Sequence, residues 1–181
     1  DKQEREDRRR AQREGADALE ASGALDELFA QIDAGQVEFD GKDGLIQQLI
    51  KVGLERGLRA ELTEHVGYEQ GDPEAGLHPN SRNGSFGKTV ATSVGDVELA
   101  IPRDRNGTFT PRLVPTGTRR VGGLDDMIVS LYAGGMTVRD IEHHLVSTIG
   151  TEISRETISK ITDEVADEVL TWQQRPLEAF Y

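Results

Sequence analysis

Apolar positions fall at helical spacing between residues 24 and 67 and again after residue 124, and between these stretches the pattern changes to short alternating runs. Ala24 to Ala34 carries Leu25, Leu28, Phe29 and Ile32 at the spacing of a short amphipathic helix, with Ser22 placed to cap its start and Gly35 to stop it. From Asp43 to Gly67, Ile46, Ile50, Leu54, Leu58, Leu62 and Val66 recur every four residues, joined by Leu45 and Leu49, which predicts one long helix. A repeat of four drifts slowly around a helix of period about 3.6, so this stripe either covers a local core or wraps a partner. Gly53 and Gly57 inside it each cost about 1 kcal/mol relative to Ala, so packing must hold the helix together.

Residues 71–87 are dense in Gly, Pro, Asn and Ser and read as a linker. Lys88–Val94 and Val97–Pro102 read as short strands around a Gly95-Asp96 turn, and Arg103-Asp104-Arg105-Asn106-Gly107 reads as a second turn. Leu124–Ala133 predicts a helix stopped by Gly134-Gly135. Thr137, with Asp140 three residues on, starts another that runs to about Ser147. After the break at Ile149-Gly150-Thr151-Glu152, Ser154 can cap a third helix, with Ile158, Ile161, Val165 and Val169 on its apolar face to Leu170. The fold class is therefore α+β, mostly α: long N-terminal helices, a small β-hairpin module and a C-terminal helix-turn-helix. The corresponding segments are 1–42, 43–70, 71–121 and 122–181, the first opening on a charged stretch, 1–22, with no apolar face.

Composition narrows the setting. With no cysteine among 181 residues, disulfides and thiolate metal sites are excluded, and a cytoplasmic location is the default expectation. No apolar run approaches the roughly 18 residues of a membrane helix, so no membrane partner is expected. The chain starts at Asp1 rather than Met, which suggests processing or excision from something longer.

The formal net charge of −12 argues at first against nucleic acid. Its distribution changes the picture: residues 1–77 carry net −9, residues 78–120 net +4 and residues 121–181 net −7. A phosphate responds to the field within a Debye length of about 10 Å, so an acidic chain can carry a DNA-facing stripe. The candidates in the basic middle are Arg82, Asn83, Lys88, Arg103, Arg105, Arg119 and Arg120, with Arg112 nearby and Phe86 and Phe109 interleaved. In the helix-turn-helix reading Thr137, Arg139, Ser154, Arg155, Thr157 and Lys160 join them. The first half of the third helix then offers donors to DNA, whereas Asp163, Glu164, Asp167 and Glu168 load its second half with acid. Solvated loop arginines and a plain helical hairpin remain alternatives.

Several enzyme patterns fail on spacing. Gly84-Ser85-Phe86-Gly87-Lys88-Thr89 ends like a phosphate-binding loop, but Arg82 stands where a glycine is required and a strand follows. His143 and His144 are adjacent on a helix and point apart, so a metal site is not expected there. Asn83-Gly84-Ser85 and Asn106-Gly107-Thr108 match glycosylation sequons but read as turns. No catalytic centre is visible, and no cofactor is expected in this chain.

Longer motifs then fall into a familiar order. Asn80-Ser81-Arg82-Asn83-Gly84, Gly95-Asp96-Val97-Glu98-Leu99, Pro102-Arg103-Asp104-Arg105-Asn106-Gly107, Gly135-Met136-Thr137-Val138-Arg139-Asp140-Ile141 and Trp172-Gln173-Gln174-Arg175-Pro176-Leu177-Glu178, with Glu61 to Tyr68 upstream, resemble mutator-type, DDE-family insertion-sequence transposases over about Asp43 to Tyr181. The resemblance implies a DNA-binding N-terminal region that recognises the terminal inverted repeats of double-stranded transposon ends. It also implies a homodimer or higher homo-oligomer, and nucleoid association when DNA is bound. Catalytic carboxylates and their Mg²⁺ are expected in a domain beyond Tyr181, so this chain is expected to be inactive alone. Two other classes stay open: a helix-turn-helix transcription regulator and a helical oligomerisation module.

Overall fold

The computed structural model describes residues 2–23, 25–39 and 44–173, with side chains as far as residue 165. The chain divides into two compact units, Asp1–Phe39 and Asp40–Tyr181. The first holds α1 (Lys2–Ala21) and α2 (Asp26–Asp33). Helix α1 buries nothing among its described side chains and is laced by exposed pairs such as Arg8–Glu4 at 3.6 Å and Arg10–Asp7 at 3.2 Å. Such pairs contribute a few tenths of a kcal/mol each, about 0.3–0.5. Ser22 does not cap α2 as its position suggested: its hydroxyl donates back to the Leu19 carbonyl at 2.7 Å, and Leu25 occupies the N-cap without a side-chain bond.

The second unit begins with α3 (Leu45–Val66), closed by Gly67 at φ +84°, a left-handed conformation that glycine adopts without strain. The second half of its stripe, Leu54 to Val66, covers a local core. Leu58 packs with Val90, Val97, Leu99 and Ile101 of a hairpin and with Val114, while Leu62 and Val66 pack with Tyr68. Acidic residues of α3 bind this layer by its backbone. Glu55 accepts from Ala100 N–H at 3.0 Å, and Glu61 accepts from Arg112 and Leu113 N–H at 2.8 and 3.1 Å. Gly57 has a packing reason, because the Leu113 side chain occupies the space a Cβ would need, whereas Gly53 faces open space.

The hairpin is longer than its alternation suggested. Strand β1 (Arg82–Thr92) pairs antiparallel with β2 (Gly95–Asp104), so residues 82–87, read as linker, are strand. The turn lies at Ser93-Val94, two residues before the expected Gly95-Asp96. Thr92 accounts for the shift: its hydroxyl accepts from Val94 N–H at 3.2 Å and donates to the Gly95 carbonyl at 2.8 Å, closing the turn from within. Residues 119–121 then lie along β1 through Ala91 N–H to the Arg119 carbonyl and Val121 N–H to the Ala91 carbonyl.

Three helices follow: α4 (Leu124–Ala133), α5 (Val138–Ile149) and α6 (Arg155–Gln173). They share a core of Leu124, Ile128, Ile141, Leu145, Ile153, Ile158 and Ile161, against which Ala91 of β1 also packs. The fold is thus α+β with a large helical share, and among the described residues no helix is long and apolar enough to cross a membrane. Val169 and residues 174–178 of the last motif lie outside what is described of side chains and main chain, respectively.

Candidate nucleic-acid interface

The starts of α5 and α6 are built by caps. Thr137 and Asp140 form a capping box: Thr137 Oγ accepts from Asp140 N–H at 3.3 Å, and the Asp140 carboxylate accepts from Thr137 N–H at 3.1 Å and from its hydroxyl at 2.6 Å. Those hydrogen bonds, the hydroxyl first, hold the Asp140 carboxyl below its ordinary pKa, with Arg139 and His143 adding to the effect. Ser154 Oγ accepts from Thr157 N–H at 3.3 Å and shares a hydrogen with the Thr157 hydroxyl at 2.9 Å. Thr137, Ser154 and Thr157 therefore have local structural work that sequence could foretell.

Between these two helix starts lies a groove lined by Arg139, Asp140, Glu142, His143, Val146 and Arg155, about 550 Å³ in volume. Arg139 and Lys160 are exposed and pair with no acid among the described residues. Arg155 is also exposed, but its Nε donates to Glu142 at 2.6 Å. Glu142 was not singled out in the sequence. A pairing across 13 positions and a turn leaves no periodic signal.

The basic middle separates into residues with internal partners and residues that face outward. Arg82, the first residue of β1, donates to Thr63 Oγ at 2.7 Å and to the Tyr68 carbonyl at 2.8 Å, with its guanidinium 5.5 Å from the Tyr68 ring centre. Lys88 donates to the Pro115 carbonyl at 3.0 Å, and Arg120 pairs with Asp125 at 2.6 Å. Asn83 is exposed where the strand register shifts beside Gly84, whose φ is +68°. Arg103, Arg105 and Arg119 are exposed. Arg103 lies 5.9 Å from the Phe86 ring, at the rim of a cleft of about 470 Å³ floored by Ile101, Pro111 and Val114.

Asp104, read only as a turn residue, is a buried hub. Its carboxylate accepts from Asn80 Nδ2 (2.7 Å), the Thr108 hydroxyl (2.7 Å) and the N–H groups of Thr108 (3.0 Å) and Phe109 (3.1 Å). Burial alone would raise its pKa, but these donors together overcome burial and hold the carboxyl far below the ordinary range. The loop that presents Arg105 is thereby fixed.

The family model described as "Transposase, Mutator family" matches residues 21–181. The chain belongs to the Mutator family of transposases. It is 47% identical over 157 residues to a probable transposase for an ISRM3-like insertion sequence element of Sinorhizobium fredii, covering 87% of this chain and 38% of that protein. A probable insertion-sequence transposase of Corynebacterium diphtheriae is 64% identical over 81 residues, 45% of this chain and 24% of that protein. The transposase for insertion sequence element IS905 of Lactococcus lactis is 39% identical over 140 residues, 75% of this chain and 36% of the relative. This Mutator-family chain thus spans little more than a third of the length of the ISRM3-like and IS905 relatives. Among the described residues no group of three or more His, Asp or Glu side chains is placed to hold a metal ion.

Proposed function

We propose that this chain is the DNA-end-binding part of a Mutator-family transposase, with α5 and α6 acting as a helix-turn-helix that reads the terminal inverted repeat of its element. The observation that carries the reading is the groove lined by Arg139 and His143 from the first two turns of α5 and by Arg155, the first residue of α6. The caps fix where both helices begin, so that side chains in their first turns, Arg139 and Arg155, are held in position to reach phosphates or base edges. Lys160 extends this face along α6, and the exposed Arg103, Arg105 and Arg119 would hold flanking phosphates of the same double-stranded DNA. Binding would bring the protein to the nucleoid.

Strand cutting and joining, by metal-assisted phosphoryl transfer at Mg²⁺, is assigned in this reading to parts of the transposase other than residues 1–181. Homo-oligomerisation is assigned to the exposed Leu49 and Val52 of α3 rather than to Leu58, which the hairpin covers, or to Leu62 and Val66, which pack with Tyr68 and Phe109.

The test is a salt series of binding between the 181-residue chain and duplexes carrying the terminal repeat or a scrambled control, repeated with R139A/K160A. Preference for the repeat, weakened at least about tenfold by the double substitution and falling steeply with salt, is the expected result. No binding by the unsubstituted chain at low salt would overturn the proposal.

A further inference from the structure

A second basic concavity shares only Arg82 with the DNA-binding candidates named from the sequence. On α3, Arg56, Arg59 and Thr63 follow the i, i+3, i+7 spacing of one helix face, and Arg82 at the start of β1 meets that face across a cavity of about 540 Å³. Arg82 is immobilised there. One terminal nitrogen serves both Thr63 and the Tyr68 carbonyl, the guanidinium lies over the Tyr68 ring, and its Nε is buried without a partner among the described residues. Arg56, by contrast, is exposed and makes no ion pair among the described residues, and Arg59 only approaches Glu55 at 3.8 Å.

Two carboxylates share the cavity wall, Glu64 and Glu69. Glu64 is already engaged by Arg112 at 2.7 Å, and Glu69 accepts from the Thr63 hydroxyl at 3.4 Å. Three guanidinium groups therefore face one carboxylate that lacks a cationic partner. A fixed cation flanked by two exposed arginines is suited to a tetrahedral anion. The fixed group costs no ordering entropy on binding, the exposed pair can close bidentately, and an anion beside Arg82 offsets the cost of burying its charge.

We propose that Arg56, Arg59 and Arg82 form a phosphate-binding site that takes a backbone phosphodiester of the bound DNA, separate from the groove at the starts of α5 and α6. The inference rests on the DNA-binding reading and extends the interface to α3. It contributes affinity and no sequence discrimination, because a backbone phosphodiester carries no sequence information.

The test compares R56Q/R59Q with the unsubstituted chain and with R8Q/R9Q, which removes the same charge from the other unit. Arg82 is left intact because it ties β1 to α3. The expected result is about tenfold weaker binding of R56Q/R59Q at low salt, equal on repeat and scrambled duplexes. The slope of log affinity against log salt should be shallower by about 1–2, melting unchanged, and R56K/R59K should recover part of the loss. If the unsubstituted chain binds and R56Q/R59Q matches either it or R8Q/R9Q, the α3 site is wrong while the DNA-binding reading stands. If the unsubstituted chain does not bind at all, both fall.

Discussion

The Thr151 hydroxyl donates to the Asp96 carboxylate at 2.9 Å, tying the turn between α5 and α6 to the tip of the hairpin. Gln47 of α3 reaches the same tip, donating to the Asp96 carbonyl at 2.6 Å, and Thr151 is only 1% exposed. The proposed reading helix is thus set against the hairpin by a joint of three elements. Thr151→Val keeps the shape and removes one hydrogen bond whose acceptor can turn to water, so a loss of about 1 kcal/mol is expected in urea unfolding. Gly95→Ala should cost more, because Gly95 has φ +117° and an added Cβ would stand 2.9 Å from both the Ile149 carbonyl and Gln47 Nε2. Equal stability of the two variants would mean that the joint is not rigid.

Asp104 predicts an acid sensitivity of defined sign. Its carboxyl titrates far below the ordinary range in the folded chain and near about 3.9 in the unfolded one, so the folded state favours the ionised form. The resulting stability is fully present above roughly pH 5 and is lost progressively as pH falls through the unfolded and towards the folded value. Asp104→Asn should be less stable by about 2–3 kcal/mol at pH 7, since four donors lose their anionic acceptor. It should also lose much less stability between pH 5 and 3 than the unsubstituted chain. Parallel pH profiles in thermal melts would refute the assignment.

The two glycines of α3 should respond differently to alanine. At Gly53 the added methyl meets open space, so Gly53→Ala should raise stability by about 0.5–1 kcal/mol. At Gly57 the same gain in helix propensity is set against displacement of the Leu113 side chain, so the net effect should be smaller than at Gly53. Urea midpoints of the two variants check the order, and a greater gain at Gly57 would contradict the packing.

How far the chain could be read in advance follows from the range of the interactions. Helices α4, α5 and α6 were legible because their signals are local: Gly134-Gly135 as a stop, Thr137 with Asp140 as a capping box, Ser154 as a cap, and apolar spacing between. The long helix α3 was legible from its stripe, yet that stripe left open whether a partner or a local core covers it, and the contact of Leu58 with Val90 and Leu99 shows a local core under its second half, while Leu49 in the first half is exposed. The hairpin turn was displaced because Thr92 offered its own hydroxyl to the backbone, a competition that periodicity does not register. Among the candidate site residues, Arg82, Lys88, Arg120 and Arg155 look like free cations in sequence, but all find partners in the fold. Those partners are long-range for Arg82 and Lys88, and even the five-residue separation of Arg120 from Asp125 crosses from loop to helix.

The Arg155–Glu142 pair gives the sharpest functional prediction. Held at 2.6 Å on the wall of the α5–α6 groove, Glu142 supplies the anion that a phosphate would otherwise supply to Arg155. DNA must therefore displace a carboxylate as well as counterions, and the exchange disfavours weak encounters more than well-matched ones. Glu142→Gln frees the guanidinium and removes one negative charge from the groove. Affinity should rise several-fold at low salt, more for scrambled duplex than for terminal repeat, so that discrimination falls while binding strengthens. Arg155→Ala should weaken binding to the repeat, and the effect of Glu142→Gln should shrink in its presence, because without Arg155 there is no competition to relieve. Weaker binding by Glu142→Gln alone would reverse the role of Glu142, making it a residue that positions Arg155 on DNA rather than one that withholds it.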